Sequence, residues 1–410
     1  MGICAGLDLC EDHIGIHLSG DETAYIFPAV ICREKKDEIW YIGEEAYRTA
    51  LSGRGVLTDK LLKLMMKDGT ATIMRRQYTG TDLVTALIRT VLSERLSTTD
   101  FSCIDRLMVA LPESDEMLMN KVKEACVRAG IGEDRLTLIS HEEAFVYYTL
   151  SQDKDIYANL VGMFDLSDER LKFYEMMVVR GLSKPCVVAE GTDTQEGFHL
   201  DILKKDSGKT LADRIITDVA KRVMDGKVYS SVFLTGAGFE KTDWAGGFTS
   251  FVCRKRRVLY EKGIFAIGAS IAAEDMCRNE GAYPYMIFCD SRTKTELSMD
   301  VSIHDRAIKV ILCPAGERWY GLCAHAEVIP SGQEYIELKL DPVDSSKEPR
   351  SVRIPLQGIP EIFERPDRCS RLSVDVYFTG AENVNVEIKD MGFGDFFRPS
   401  QNIIREEIVL

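Results

Sequence analysis

Two aspartates stand near the ends of apolar runs, and each is followed by a short polar loop. Asp8 lies in Ala5-Gly6-Leu7-Asp8-Leu9, and Cys10-Glu11-Asp12-His13 follows it. Asp165 lies near the end of Leu160–Leu166, and Ser167-Asp168-Glu169-Arg170 follows it. A buried strand that hands an aspartate to a tight loop is a place for nucleotide chemistry. Such loops favour glycines, which let backbone amides approach phosphate oxygens, and hydroxyls, which add uncharged donors. Both loops carry carboxylates instead. A third small-residue turn, Thr235-Gly236-Ala237-Gly238, follows the apolar run Ser231–Leu234, and Gly268 sits in the small-residue segment Gly263–Ala273. The twelve cysteines are scattered singly, with no Cys-x-x-Cys pair and no histidines clustered at metal-ligand spacing, so no metal site is expected. Cys103, Cys126, Cys253 and Cys289 lie among apolar residues and are expected to be reduced core thiols.

The elements that must position these residues alternate between strand-like and helix-like patterns. Ile3–Leu9 and Ile14–Leu18 read as a hairpin, followed by strands over Ala29–Cys32 and Ile39–Ile42. Asp82–Leu96 carries a helical stripe. Arg106–Leu111 is an apolar run ending at Pro112, and a helix from Ser114 with acids in its first turn stops at Gly130. Leu136–Ile139 is a strand before a helix through Tyr147, and Thr210–Met224 is amphipathic. Beyond about residue 283 the pattern changes to short alternating strands. Leu372–Phe378 and Val384–Ile388 form a hairpin around the five-residue loop Thr379–Asn383, and a β-sandwich is expected there. Asn279–Pro284 is the expected linker, and no internal sequence repeat is evident.

Composition limits the functional classes. The 410 residues exceed one ordinary core, and 45% apolar with 28% charged residues describes a globular chain. The net charge of −14 argues against nucleic acid as the main partner. The dense basic run Cys253–Arg257 is expected to be a solvated helix face. No run approaches the roughly 20 apolar residues of a membrane span, and no leader or lipidation signal is expected. A cytoplasmic protein with no membrane partner is the expectation.

Six segments in order resemble one superfamily, the actin-like ATPases, and within it the DnaK-type (seventy-kilodalton heat-shock) chaperones. They are Leu7-Asp8-Leu9, Tyr41–Tyr47 with its Gly43-Glu44-Glu45-Ala46, Val109–Pro112 with its helix to Gly130, Met163–Leu166, Phe233–Gly238 and Ile264–Ala272. Ile354–Pro360 before the Leu372–Ile388 hairpin, with Ala315–Arg318, resembles the chaperones' substrate-binding sandwich. The resemblance implies a two-lobed α/β actin-like (ribonuclease H-like) domain over 1–278, with lobes of about 1–145 and 146–278, and a β-sandwich over 285–410. It also implies that Asp8 organises metal-bound water, that Asp165 opens the second phosphate loop, and that Lys60 stands at the catalytic lysine position, where Lys63 or Lys67 align almost as well. Ser140–Phe145 resembles the segment that supplies the chaperone glutamate, a role open to His141 or Glu142. Gly236, Gly238 and Gly268 fall on the adenosine side.

The departures point away from catalysis. The second loop has lost the three glycines of the family pattern, and its threonine aligns with Arg170. A carboxylate about 4 Å from a phosphate charge costs roughly 1 kcal/mol in water and about 4 at an effective dielectric of 20, whereas micromolar binding is worth about 8 kcal/mol. Glu11, Asp12, Asp168 and Glu169 together therefore oppose a triphosphate, unless a clustered metal ion or Arg170 and Lys172 offset them. The four acids are expected to be ordinary exposed loop residues. The stretch between Asp165 and Ser231 is short for the usual nucleotide-gripping subdomain, and neither the acidic-leucine linker nor the helical lid is recognisable. The expectation is a degenerate DnaK-like protein without ATP or Mg²⁺ turnover, a scaffold or a module binding a protein or peptide. The sandwich or the cleft would be its contact surface; Val374, Val376 and Phe378 are the groove candidates near the hairpin, although alternating apolar residues of this kind are more often core. The alternatives are an atypical ATP-hydrolysing chaperone and an actin-like structural scaffold.

Overall fold

A computed structural model describes residues 2–36, 39–179, 185–304, 306–343 and 347–410. The chain divides into two compact units, residues 1–287 and 288–410.

In the first unit, β1 (Ile3–Leu9) and β2 (His13–Leu18) form a hairpin, and β3 (Tyr25–Pro28) pairs antiparallel with β2. The expected strand Ala29–Cys32 overlaps only the start of β4 (Ile31–Glu34), Ala29 and Val30 lying in the connection from β3, and β4 belongs to a separate three-stranded sheet with β5 (Trp40–Ile42) and β6 (Gly55–Thr58). Helices α1 (Gly43–Leu51) and α2 (Leu61–Met66) and the hairpin β7 (Thr70–Ile73), β8 (Arg76–Thr79) follow. Helix α3 (Gly80–Leu96) begins on a capping box in which Thr79 and Asp82 exchange side-chain-to-backbone hydrogen bonds. Strand β9 (Ile104–Leu111) then runs parallel to β1 on the side opposite β2. Helix α4 (Glu116–Ala129) is capped by Asp115 and ends at Gly130, whose φ of 112° suits glycine. Strand β10 (Leu136–Ser140) lies parallel to β9, and its last residue, Ser140, is also the N-cap of α5 (His141–Leu150). No loop separates them, so the first turn of α5 lies at the ends of the parallel strands. Every residue of α5 is buried.

A second sheet uses the same strand order and directions. Strand β11 (Leu160–Ser167) pairs antiparallel with β12 (Arg170–Val179), which pairs antiparallel with β13 (Cys186–Asp193). After α6 (Asp206–Val223), β14 (Tyr229–Thr235) adds parallel to β11. After α7 (Gly246–Val252), β15 (Arg257–Tyr260) adds parallel to β14. Thus β3-β2-β1-β9-β10 and β13-β12-β11-β14-β15 share one arrangement, with β16 (Met286–Phe288) added beyond β13. The hairpin's first strand is central in both halves, although the sequences show no repeat. Helix α8 (Ile264–Met276) packs on β1 through small residues, since a Cβ on Gly6 would lie 2.1 Å from the Ala266 carbonyl oxygen. No helix of the described residues is long and apolar enough to cross a membrane.

The second unit is strand-rich. One sheet runs β18 (Arg306–Cys313), β17 (Thr295–Ile303), β20 (Tyr335–Pro342), β21 (Arg350–Pro355). The other runs β19 (Cys323–Val328), β22 (Leu372–Gly380), β23 (Asn383–Asp390), β24 (Ile403–Val409). Two four-stranded antiparallel sheets, each with a buried row, are compatible with a sandwich. The β22–β23 ladder continues to Gly380 opposite Asn383, so the expected five-residue loop contracts to the turn Ala381-Glu382. Val374, Val376 and Phe378 point into the core and line no surface groove. Cys126 and Cys289 are buried, but Cys103 and Cys253 are exposed, because they lie in the turns entering β9 and leaving α7. The basic run forms the turn after α7 rather than a helix face, with Lys255 left-handed and Arg256 over the rings of Tyr229 and Phe251.

Candidate functional site

Asp8 and Asp165 occupy corresponding registers in the two sheets. Asp8 stands opposite Gly15 of β2 and Ala110 of β9, and Asp165 opposite Lys172 of β12 and Thr235 of β14. Both lie at strand ends followed by a tight antiparallel turn, and both line one cleft of about 660 Å³. Asp12, His13, Phe27 and Pro28 contribute from the first half, and Ser167, Thr235, Gly236 and Lys262 from the second. Clefts at the carboxyl ends of parallel strands are where open α/β sheets bind ligands, and this volume is in the usual range for small-molecule sites.

The first turn closes on itself. The Cys10 amide donates to the His13 carbonyl oxygen at 2.9 Å, and His13 folds back with Nε2 3.1 Å from Asp8 Oδ2 and Nδ1 2.9 Å from Asp12 Oδ1. Ionised carboxylates only accept hydrogen bonds, so a ring held between two of them donates from both nitrogens and is an imidazolium. Burial opposes that charge, but the hydrogen bonds to the Asp12 and Asp8 carboxylates outweigh it and raise the His13 pKa well above its ordinary value. From the other side His141, the first residue of α5, places Nε2 2.8 Å from Asp8 Oδ1 and 3.8 Å from Cys10 Sγ. Its Nδ1 meets the Tyr174 hydroxyl at 3.2 Å, and its ring stacks on Phe265 with centroids 3.6 Å apart. This ring donates from Nε2 to Asp8, accepts from Tyr174 and is neutral. Burial holds its pKa down against the pull of Asp8. Burial would likewise raise Asp8, but His141 and His13 prevail and keep the carboxyl well below the carboxylate range. The Cys10 thiol, 3.4 Å from Asp8 Oδ1, is pushed up to about 12 by burial and then by the Asp8 charge. Asp165 is raised by burial, against the nearby histidines.

The remaining sequence candidates separate. Lys60 is exposed at the left-handed N-cap of α2, and Lys63 and Lys67 are exposed too; none of the three lines the cleft. Glu142 is buried in an ion pair with Lys172 at 3.3 Å and does not reach Asp8; the residue of that segment that does is His141. Gly236 lines the cleft at a φ of 89°, but Gly238 and Gly268 are packing glycines. A Cβ on Gly238 would meet the Leu166 side chain at 2.4 Å, and one on Gly268 the Ala144 carbonyl oxygen at 1.9 Å. Of the four loop acids, Asp168 and Glu169 are exposed and face His199, as expected. Glu11 and Asp12 are not idle. Glu11 is half-buried and accepts from the Lys63 amide at 3.0 Å, and Asp12 holds His13.

The grouping of Asp8, Cys10 and His13, whose ligand-capable atoms all lie within 4.8 Å of one another, was missed in the sequence. A search for Cys-x-x-Cys or paired histidines passes over Asp-x-Cys-x-x-His. His141 joins from 131 residues beyond Cys10.

Comparison with known families assigns the first unit. The profile described as "Family of unknown function (DUF5716) C-terminal" matches residues 14–290, more than half of the chain. The chain belongs to that family. In this DUF5716 member a second profile, "Domain of unknown function (DUF8552)", matches residues 292–410 and takes in most of the strand-rich unit. No curated protein matches the chain.

Proposed function

We propose that this chain is a degenerate actin-like protein, similar to the DnaK-type chaperones, that has lost ATP hydrolysis and works as a scaffold binding a protein or peptide. The resemblance implies two lobes, each bringing a hairpin loop and an aspartate to a shared cleft. The repeated strand order, with Asp8 and Asp165 in matching registers across one cleft, supports that ancestry. The observation carrying the loss of nucleotide is the side chain over Asp8. The His13 imidazole occupies Asp8 Oδ2, and the cleft is lined by Asp8, Asp12, Glu44, Glu45, Glu94, Asp165 and Glu240. Its cations are already paired: Arg48 faces Glu44 and Glu45, Lys262 faces Glu240, and the His13 imidazolium is held by Asp8 and Asp12. A triphosphate would meet like charge with few free donors.

For the partner, β18 is an edge strand of its sheet, and Ile308 and Ile311 on it are 41% and 51% exposed. An extended peptide adding to that edge would gain main-chain hydrogen bonds, with the isoleucines supplying side-chain contacts. The test is thermal unfolding of the full chain with and without Mg-ATP, together with an ATP turnover assay. No shift and no turnover are expected. A rise of several degrees, with turnover abolished by Asp8→Asn and Asp165→Asn, would instead establish an atypical ATPase chaperone.

A further inference from the structure

We propose that Asp8, Cys10, His13 and His141 form a closed binding site for one divalent transition-metal ion of the zinc class. The inference rests on the side-chain geometry and does not depend on the ancestry argued above. Three of the donors come from one strand–turn–strand hairpin, where the Cys10-to-His13 backbone hydrogen bond fixes their spacing. The fourth comes from the first residue of α5, held against the sheet because β10 runs into α5 without a loop.

The distances suit a tetrahedral ion. Ligands at about 2.0–2.3 Å from zinc place neighbouring donor atoms roughly 3.3–3.6 Å apart. Asp8 Oδ1 lies 2.8 Å from His141 Nε2 and 3.4 Å from Cys10 Sγ, Asp8 Oδ2 lies 3.1 Å from His13 Nε2, and Cys10 Sγ lies 3.8 Å from His141 Nε2, values on either side of that spacing. The Asp8, Cys10 and His13 donor atoms all lie within 4.8 Å of one another, so side-chain rotation is enough to bring them onto one ion.

Groups beyond the donors orient both rings the same way. His13 turns Nδ1 to the Asp12 carboxylate, His141 turns Nδ1 to the Tyr174 hydroxyl, and in both rings Nε2 is directed inward. A carboxylate, backbone carbonyl or water on the far nitrogen is the usual support of a metal-bound histidine; Asp12 supplies the first kind, and the Tyr174 hydroxyl stands in for the water. The Phe265 stack fixes the His141 plane.

The donor chemistry selects the ion. One thiolate, two imidazoles and one carboxylate suit zinc, whereas magnesium and calcium take oxygen ligands. The thiolate and carboxylate balance the dication once the histidines are neutral. On binding, the thiol proton and one His13 imidazolium proton leave to solvent. The His141 proton moves from Nε2 to Nδ1, which then donates a hydrogen bond to the Tyr174 oxygen while the Tyr174 hydroxyl proton turns away from the ring. Asp8 and His13 line the cleft, which provides the route in. Four protein ligands leave no open position for a reacting group, so the ion would fasten the β1–β2 hairpin to α5 rather than perform chemistry.

The experiment uses the full chain, stripped with a chelator and titrated with Zn²⁺ and with Co²⁺. Expected are one equivalent of either ion, a thiolate-to-cobalt charge-transfer band, and the intense visible bands of tetrahedral cobalt. Cys10→Ser should remove the charge-transfer band, and Asp12→Asn should weaken binding by roughly 10–100-fold. The exposed-site control Cys103→Ser should bind as the parent does. Failure of the unaltered chain to bind a stoichiometric ion overturns the proposal. So does cobalt bound without a thiolate band, or a Cys10→Ser chain whose charge-transfer band persists.

Discussion

Gly268 of α8 and Ala144 of α5 approach so closely that a Cβ on the glycine would lie 1.9 Å from the Ala144 carbonyl oxygen. The glycine therefore permits helix-to-helix contact and has no space left for a purine. Gly268→Ala should force the helices apart and destabilise the chain by about 1–3 kcal/mol, the usual range for overpacking. Urea unfolding of the full chain measures it. An unchanged midpoint would return Gly268 to the list of ligand-contacting residues.

Glu142 and Lys172 form a buried ion pair, with Lys172 also donating to the Pro112 carbonyl oxygen at 3.2 Å. Removing one partner strands the other charge away from water. Lys172→Met should cost about 3–5 kcal/mol, and the double change Glu142→Gln, Lys172→Met should recover a large part of it. A double-mutant cycle read by denaturant unfolding checks this. Equal losses in the single and double variants would mean the pair does not hold the fold.

In the strand-rich unit, Arg365 grips both oxygens of Asp390 at 2.8 and 2.6 Å, and the Gly392 and Ser400 amides donate to the same carboxylate. Burial alone would raise this carboxyl. The Arg365 and amide hydrogen bonds outweigh burial and hold its pKa below the ordinary value. A carboxyl depressed in the folded state contributes stability that is complete above its unfolded pKa of about 3.9 and is lost as pH falls through the lower folded value. Asp390→Asn should therefore flatten part of the acid limb of the stability–pH curve. At neutral pH it should cost about 3–5 kcal/mol, because Arg365 is left buried without its counter-charge. Unfolding midpoints from pH 7 down to about pH 2 on the full chain report both effects.

Much of the framework was legible because it is local. The β1–β2 and β22–β23 hairpins follow from period-two alternation, and the stop of α4 at Gly130 follows from a residue free to take positive φ. The repeated strand order was not legible, because the halves share directions and registers but not residues. The candidate site was half legible. Asp8 and Asp165 stand out as strand-end aspartates, but the role of His141 depends on β10 and α5 meeting at Ser140 beside a strand more than a hundred residues earlier. Glycines misled for the complementary reason. Gly236, Gly238 and Gly268 look alike in sequence, and only their neighbours separate the cleft-lining residue from the two packing ones.

Strand β1 is hydrogen-bonded to β2 on one edge and β9 on the other, with α8 laid across it at Gly6. No partial opening frees it without dismantling the sheet. Its amides around Leu7 and Asp8 should be among the last in the chain to exchange with deuterated water, at rates set by global unfolding. The exposed turn residue Asp168, which lies where the first half has its Cys10–His13 turn, should exchange early. Strand β11, flanked by β12 and β14 in the same way, should be as slow, so in each half the strand holds firm while the turn beyond its aspartate breathes.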